Sequence, residues 1–314
     1  MLKKWLFLGT FLLSTIYAET NSTIKVLQYN MKYGKPGQLC CNQTQGNQVG
    51  LIEATLSGND VDFACLTECQ SASDDKSCIK WSIPSYDFQC HTCPGTTSSY
   101  NEALTLIYNT NRYTFKTLWS PTPPNQGCCA AQQLGRGFMA IALTEKSTGK
   151  NIIFIGIHPD HGSHDPLLDQ IAAAIQDLGG SSSEIILAGD INYQGGKASF
   201  QENSDDFRDS LSKKLGTTWS NISNLIQCGT NNSNYNGPET FDNVFINQTV
   251  NMVCEIPTQY VYQTDPNHYS PTGATYHLGG NGVYSQLEGI QHLGDARSEE
   301  HIPLLATITL TNSE

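Results

Sequence analysis

The stretch Ile185–Gly196 reads IILAGDINYQGG. An apolar run closed by glycine has the composition of a buried strand. Its tip carries Asp190 and then, after a single isoleucine, Asn192. A turn accounts for either residue alone. Working outward, runs of the same kind recur: TIKVLQY, DFACLTE, ALTLIYN, GFMAIALTE, NIIFIGIH, TFDNVFIN and IPLLATITL. Each is rich in Val, Ile, Leu or Phe and bounded by Gly, Pro, Asn or Asp, and so predicts a strand.

Fewer segments show helical spacing. NQVGLIEATLSG and DPLLDQIAAAIQDLGG place apolar residues three and four apart, the second opening on Asp165-Pro166 and closing on Gly179-Gly180. Cys69–Tyr100 and Thr258–Glu299 are polar and turn-rich and read as loops. With more strands than helices, two packed sheets with helices outside are expected.

The strand ends share a chemistry. Asn30, Glu68, His158, Asp190 and Asn192 close apolar runs, Asp242 lies within TFDNVF, and Glu300-His301 precedes the last strand. Converging carboxylate and amide oxygens are hard ligands, suited to magnesium, with manganese or calcium as alternatives. Histidines beside carboxylates suit proton transfer near neutral pH. The combination describes metal-assisted hydrolysis of a phosphate ester.

The ends of the chain and its cysteines bear on where this chemistry would operate. MLKKWLFLGTFLLSTIYA, residues 1–18, has two lysines, an apolar run and small residues at its close, and reads as a secretory signal peptide ahead of a single domain over 19–314. Eleven cysteines follow it, which predicts disulfides and one thiol left over. Zinc is the rival reading for Cys65/Cys69 and Cys90/Cys93. Glycosylation acceptor tripeptides begin at Asn21, Asn42, Asn221, Asn231 and Asn247. A formal charge of −12 repels a polyanion at long range, which argues against simple nucleic-acid binding but not against a site that recruits a cation.

IKVLQYNMKYG, FACLTECQ, SYNEALTLIYN, LGRGFMAIAL, IFIGIHPD, ILAGDINY, TFDNVFIN and EEHIPLLATITL occur in this order from Ile24 to Thr311. Together they resemble the endonuclease/exonuclease/phosphatase superfamily, most closely its secreted DNase I-like branch. The resemblance implies a four-layer α/β sandwich with two central, mostly antiparallel sheets. It makes Glu68 the principal metal ligand with Asn30 beside it and Glu300 in reach, and Asp190 and Asn192 the holders of phosphate and water. His158 with Glu102, and His301 with Asp242, become acid–base dyads. Arg136 falls where the family binds phosphate, and Tyr100 where a sugar or base stacks.

Two departures bear on metal and substrate respectively. SEEH stands where the family has Ser-Asp-His, so Glu300 replaces an aspartate. Gln70 stands where DNA-cutting members often carry arginine, and the chain has only four arginines, Arg112, Arg136, Arg208 and Arg297. The expectation is a secreted, divalent-metal-dependent phosphodiesterase acting on DNA. A lipid-headgroup or inositol-phosphate hydrolase of the same fold is the alternative among enzymes, and an inactive binding glycoprotein the alternative outside them.

Overall fold

A computed structural model describes residues 22–30, 45–69, 78–93, 102–119, 138–159, 165–192, 200–223, 242–255 and 304–310. In chain order the elements are β1 (Ser22–Asn30), α1 (Gln45–Asn59), β2 (Phe63–Thr67), β3 (Tyr86–Cys93), β4 (Glu102–Asn109), β5 (Tyr113–Leu118), β6 (Phe138–Glu145) and β7 (Asn151–Ile157). They continue with α2 (Asp165–Leu178), β8 (Glu184–Asp190), α3 (Phe200–Leu215), β9 (Ser220–Asn221), β10 (Asp242–Ile246), β11 (Asn251–Glu255) and β12 (Leu304–Leu310).

The strands form two six-stranded sheets, ordered β11-β12-β1-β2-β4-β3 and β5-β6-β7-β8-β10-β9. Each sheet holds one parallel pair, β1 with β2 and β7 with β8, and the remaining pairs are antiparallel. In both, the parallel pair lies at the centre, so four strand C-termini point to the same end of the sandwich.

Side-chain alternation builds the layers. Ile24 and Val26 of β1, Phe63 and Cys65 of β2, Leu104 and Leu106 of β4, Ile152 and Phe154 of β7, and Ile186 and Ala188 of β8 share one core between the sheets. The intervening residues face outward. Leu27, Ala64 and Leu66 pack against Ile52 and Leu56 of α1, and Ile153, Ile185 and Leu187 pack against Leu168, Ile171 and Ile175 of α2 and Phe207 and Leu211 of α3. The result is helix, sheet, sheet, helix: the four-layer α/β sandwich.

The sheets approach closely near one end. A Cβ on Gly156 of β7 would sit 2.6 Å from Leu106 Cδ2 and 3.0 Å from Cys65 Sγ of the other sheet, and within its own sheet one on Gly189 of β8 would sit 2.0 Å from the Ile157 carbonyl oxygen. Glycine is the residue that fits both places.

The reading of Cys69–Tyr100 as loop is corrected. β3 lies within it, pairs with β4 from Tyr86 to Cys93, and is joined by a disulfide from Cys90 to Cys78. Tyr86 and Phe88 pack on the outer layer while Asp87 and Gln89 alternate with them, the pattern of an edge strand whose sequence is too polar to stand out alone. α3 is not legible in the sequence, because beside the buried apolar Phe207 and Leu211 its buried face is made by the polar Asn203 and Ser204, and Asp, Ser and Lys fill most of the rest. The Thr258–Glu299 segment and residues 1–18 lie outside the described residues.

Candidate active site

The inter-sheet rows of alternate residues are apolar in depth and turn polar at one end. β1 runs Ile24, Val26, Gln28, Asn30; β8 runs Ile186, Ala188, Asp190; β7 runs Ile152, Phe154, Gly156 and then His158, one residue past its end. β10 runs the opposite way and begins with Asp242, register partner of Asp190. Asn30, His158, Asp190 and Asp242 are all buried.

Glu68 follows β2 in the left-handed backbone region, φ 51°. That conformation is uncommon for a side-chain-bearing residue and is strained. It is held by the next amide, Cys69 N–H, which donates to the Ala103 carbonyl at 3.1 Å. The turn brings the carboxylate to the amide of Asn30.

Asn30 Nδ2 donates to Glu68 Oε1 and to Asp190 Oδ2, each at 2.9 Å, so one amide links a carboxylate of each sheet. His158 Nε2 lies 3.6 Å from those same two oxygens. Two carboxylate oxygens are thereby held within roughly 6 Å of each other, twice a hydrogen-bond length. Like charges at that range favour an intervening cation. The set fits a hard divalent cation held by Glu68 and Asn30. Among the described residues no three His, Cys, Asp or Glu side chains are arranged to hold one ion, and Glu300 lies outside them.

Asn192, which the sequence places with Asp190 at the tip of one apolar run, stands off the strand itself. β8 ends at Asp190, and Asn192 sits beyond it at φ 43°. Its backbone N–H donates to Asp190 Oδ1 at 3.3 Å and its Nδ2 to the Pro159 carbonyl at 3.0 Å. The short amide closes a local turn of the kind asparagine favours and ties the segment after β8 to the segment after β7.

Asp242 accepts a hydrogen bond from Gln28 Nε2 at 2.9 Å. Glu102 opens β4 opposite Cys93, with its backbone at the same end as Glu68; its side chain lies outside the described residues, as do Tyr100, Arg136, Glu300 and His301. The proposed pairings of His158 with Glu102 and of His301 with Asp242 therefore fall partly outside them too. Sequence reasoning passed over Gln28, although a polar residue at the third place of the row Ile24, Val26, Gln28, Asn30 was the available signal.

The zinc alternative loses its geometry. Cys90 is bonded to Cys78, while Cys65 lies in the inter-sheet core and Cys69 in the outer layer of the same sheet. Both are free, and burial raises both thiols, Cys69 to about 12. Neither serves as a nucleophile at neutral pH.

No protein-family model matches the chain, and no curated protein matches it. Solved structures do. An endonuclease/exonuclease/phosphatase family protein from Bacteroides thetaiotaomicron is 16% identical with a TM-score of 0.58, the match covering 92% of this chain and 98% of that one. The mannosyl-6-phosphatase of Bacteroides thetaiotaomicron is 16% identical with a TM-score of 0.54, over 91% and 100% of the two chains. ANGEL2, a 2',3'-cyclic phosphatase, is 12% identical with a TM-score of 0.56, over 93% and 96%. The chain has the fold of endonuclease/exonuclease/phosphatase proteins.

Proposed function

We propose that the chain is a divalent-metal-dependent phosphoric ester hydrolase, and that it is a secreted phosphodiesterase acting on DNA. One observation carries the enzymatic reading: Asn30 joins Glu68 of one sheet to Asp190 of the other, with His158 Nε2 against the same two oxygens. The solved structures of the same fold include proteins described as phosphatases, which supports phosphate esters as the substrate class. The Cys78–Cys90 disulfide is in keeping with an oxidising compartment.

Glu68 and Asn30, with Glu300, would hold the cation, which when bound supplies charge neutralisation for the phosphate and the surrounding carboxylates. His158 presents Nε2 to the site, the nitrogen that can donate to or accept from a phosphate oxygen. Asp190 is anchored by Asn30 and by the Asn192 backbone, so it can orient a water without swinging away. Asp242, held on the second sheet, is the orienting partner for an imidazole supplied by His301. Arg136 and Tyr100 are assigned to substrate phosphate and sugar or base.

The test is hydrolysis by purified protein of plasmid DNA, RNA, sphingomyelin and inositol phosphates, with magnesium, manganese or calcium and after dialysis against a chelator. Metal-dependent cleavage of DNA is expected. Full activity after chelation would overturn the metal role, and cleavage of another substrate but not DNA would overturn the substrate. Hydrolysis of none would favour the binding glycoprotein.

A further inference from the structure

Beneath the converging site residues lies a buried contact that the hydrolytic reading leaves unused. Gln28 stands two residues before Asn30 on the inter-sheet face of β1 and is completely buried. Its Nε2 donates to Oδ1 of Asp242, also completely buried, on the opposite sheet. Asp242 is in register with Asp190, a carboxylate on the same face of the second sheet.

The chemistry of the pair fixes the amide's orientation. The NH2 end donates to Asp242, whose carboxylate oxygen accepts. The carbonyl end then points elsewhere, and Gln28 Oε1 is buried with no hydrogen-bond partner among the described residues. The net gain from one hydrogen bond is generally no larger than the cost of an orphaned buried acceptor. Ile24 and Val26 occupy the preceding places of the same row, and an aliphatic residue would continue their packing. Packing within the row therefore does not call for a glutamine here, whereas supplying a donor that holds the buried Asp242 carboxylate does.

We propose that Gln28 is a positioning residue: it reaches across the sandwich and fixes the Asp242 carboxylate for proton transfer at the site. This rests on the reading of Asp242 as an acid–base carboxylate. Gln28 does not touch the reacting atoms, so it acts through Asp242 or not at all.

The test is a double-mutant cycle read in two ways. Gln28→Met keeps the length and volume and removes the donor; Gln28→Leu is the second variant should the first not fold. Steady-state rates on whichever substrate the wild type cleaves are compared for the Gln28 variant, Asp242→Asn and the double variant. The Gln28 variant should lower kcat by about 10- to 100-fold and change KM by less than about threefold, the pattern of a lost transition-state contact. In the Asp242→Asn background the same change should cost less than about twofold, since residues acting as one unit are not additive.

Unchanged kcat in the Gln28 variant while Asp242→Asn is impaired would overturn the proposal, and so would losses that multiply. Thermal melts of the same proteins separate the two readings. Coupling of the two sites in Tm with no effect of Asp242→Asn on kcat means that the hydrolytic role of Asp242 fails and the contact is structural only. Absence of coupling in both readouts removes the contact itself.

Discussion

At the scale of single residues, two side-chain-bearing positions at the site, Glu68 and Asn192, hold left-handed backbone. Each follows a strand of a central parallel pair, and each is fastened by hydrogen bonds to a neighbouring segment. Strain of this kind persists only where surrounding contacts over-determine it. His158 places Nε2 3.6 Å from one oxygen of each of Glu68 and Asp190. His158→Ala should reduce turnover by about 100-fold or more, the scale of a lost proton-transfer group, with the melting temperature little changed. Near wild-type turnover on a verified substrate would make the histidine structural.

At the scale of elements, the β7–β8 parallel pair sets the distance between His158 and Asp190. Ile157 and Gly189 are register partners, and a Cβ on Gly189 would meet the Ile157 carbonyl at 2.0 Å, a backbone atom that no side-chain rotation can move. Gly189→Ala should therefore lower unfolding free energy by about 1–3 kcal/mol or more and reduce activity with it. Urea denaturation checks the first, and an unchanged midpoint would show that the strands can part without penalty.

Element edges also decide which acceptor tripeptides are usable. Asn221 of β9 is buried and its Nδ2 donates to Ser204 Oγ at 3.1 Å and Asp205 Oδ1 at 3.0 Å. Asn247 accepts from Ile185 N–H at 2.8 Å and donates to the Ser183 carbonyl at 3.0 Å. A glycan on Asn221 would break this network, and one on Asn247 would crowd the start of β8. Peptide mass spectrometry of protein from a eukaryotic secretory host should find both unmodified. A glycan on Asn221 in folded, active protein would contradict the packing.

At the scale of the molecule, the two ends of the sandwich differ in chemistry. The end opposite the site is closed by Asp62, which precedes β2. Its carboxylate accepts the Lys25 N–H at 2.8 Å and lies 2.6 Å from Arg112 Nη1. Burial, outweighing those two contacts, pushes the Asp62 carboxyl up from 3.8 to about 6. A folded-state value above the unfolded one means a contribution to stability present below about pH 3.8 and lost as pH rises through about 6. A shift of about two units corresponds to roughly 3 kcal/mol. Asp62→Asn should thus gain on the wild type as pH rises from about 4 to about 7, without altering kcat at the distant site. Chemical denaturation across that range checks it; a difference that stays flat would show that Asp62 titrates alike in both states.

The sequence by itself determined the central strands of both sheets, two of the three described helices and the polar tips that became Asn30, Glu68, His158, Asp190 and Asp242. It could do so because period-two apolar runs and terminal carboxylates are local patterns, visible in a few residues. β3 and α3 were not legible, since an edge strand takes its pairing from β4 and a polar helix takes its place from the sheet beneath it. Only the tertiary structure decided that one amide bridges Glu68 and Asp190, and that Asn192 leaves the strand to close a turn. It also paired Gln28 with Asp242 across 214 positions of chain. Partners so far apart in sequence meet only after two sheets have packed, and no local propensity encodes which buried amide a carboxylate will find.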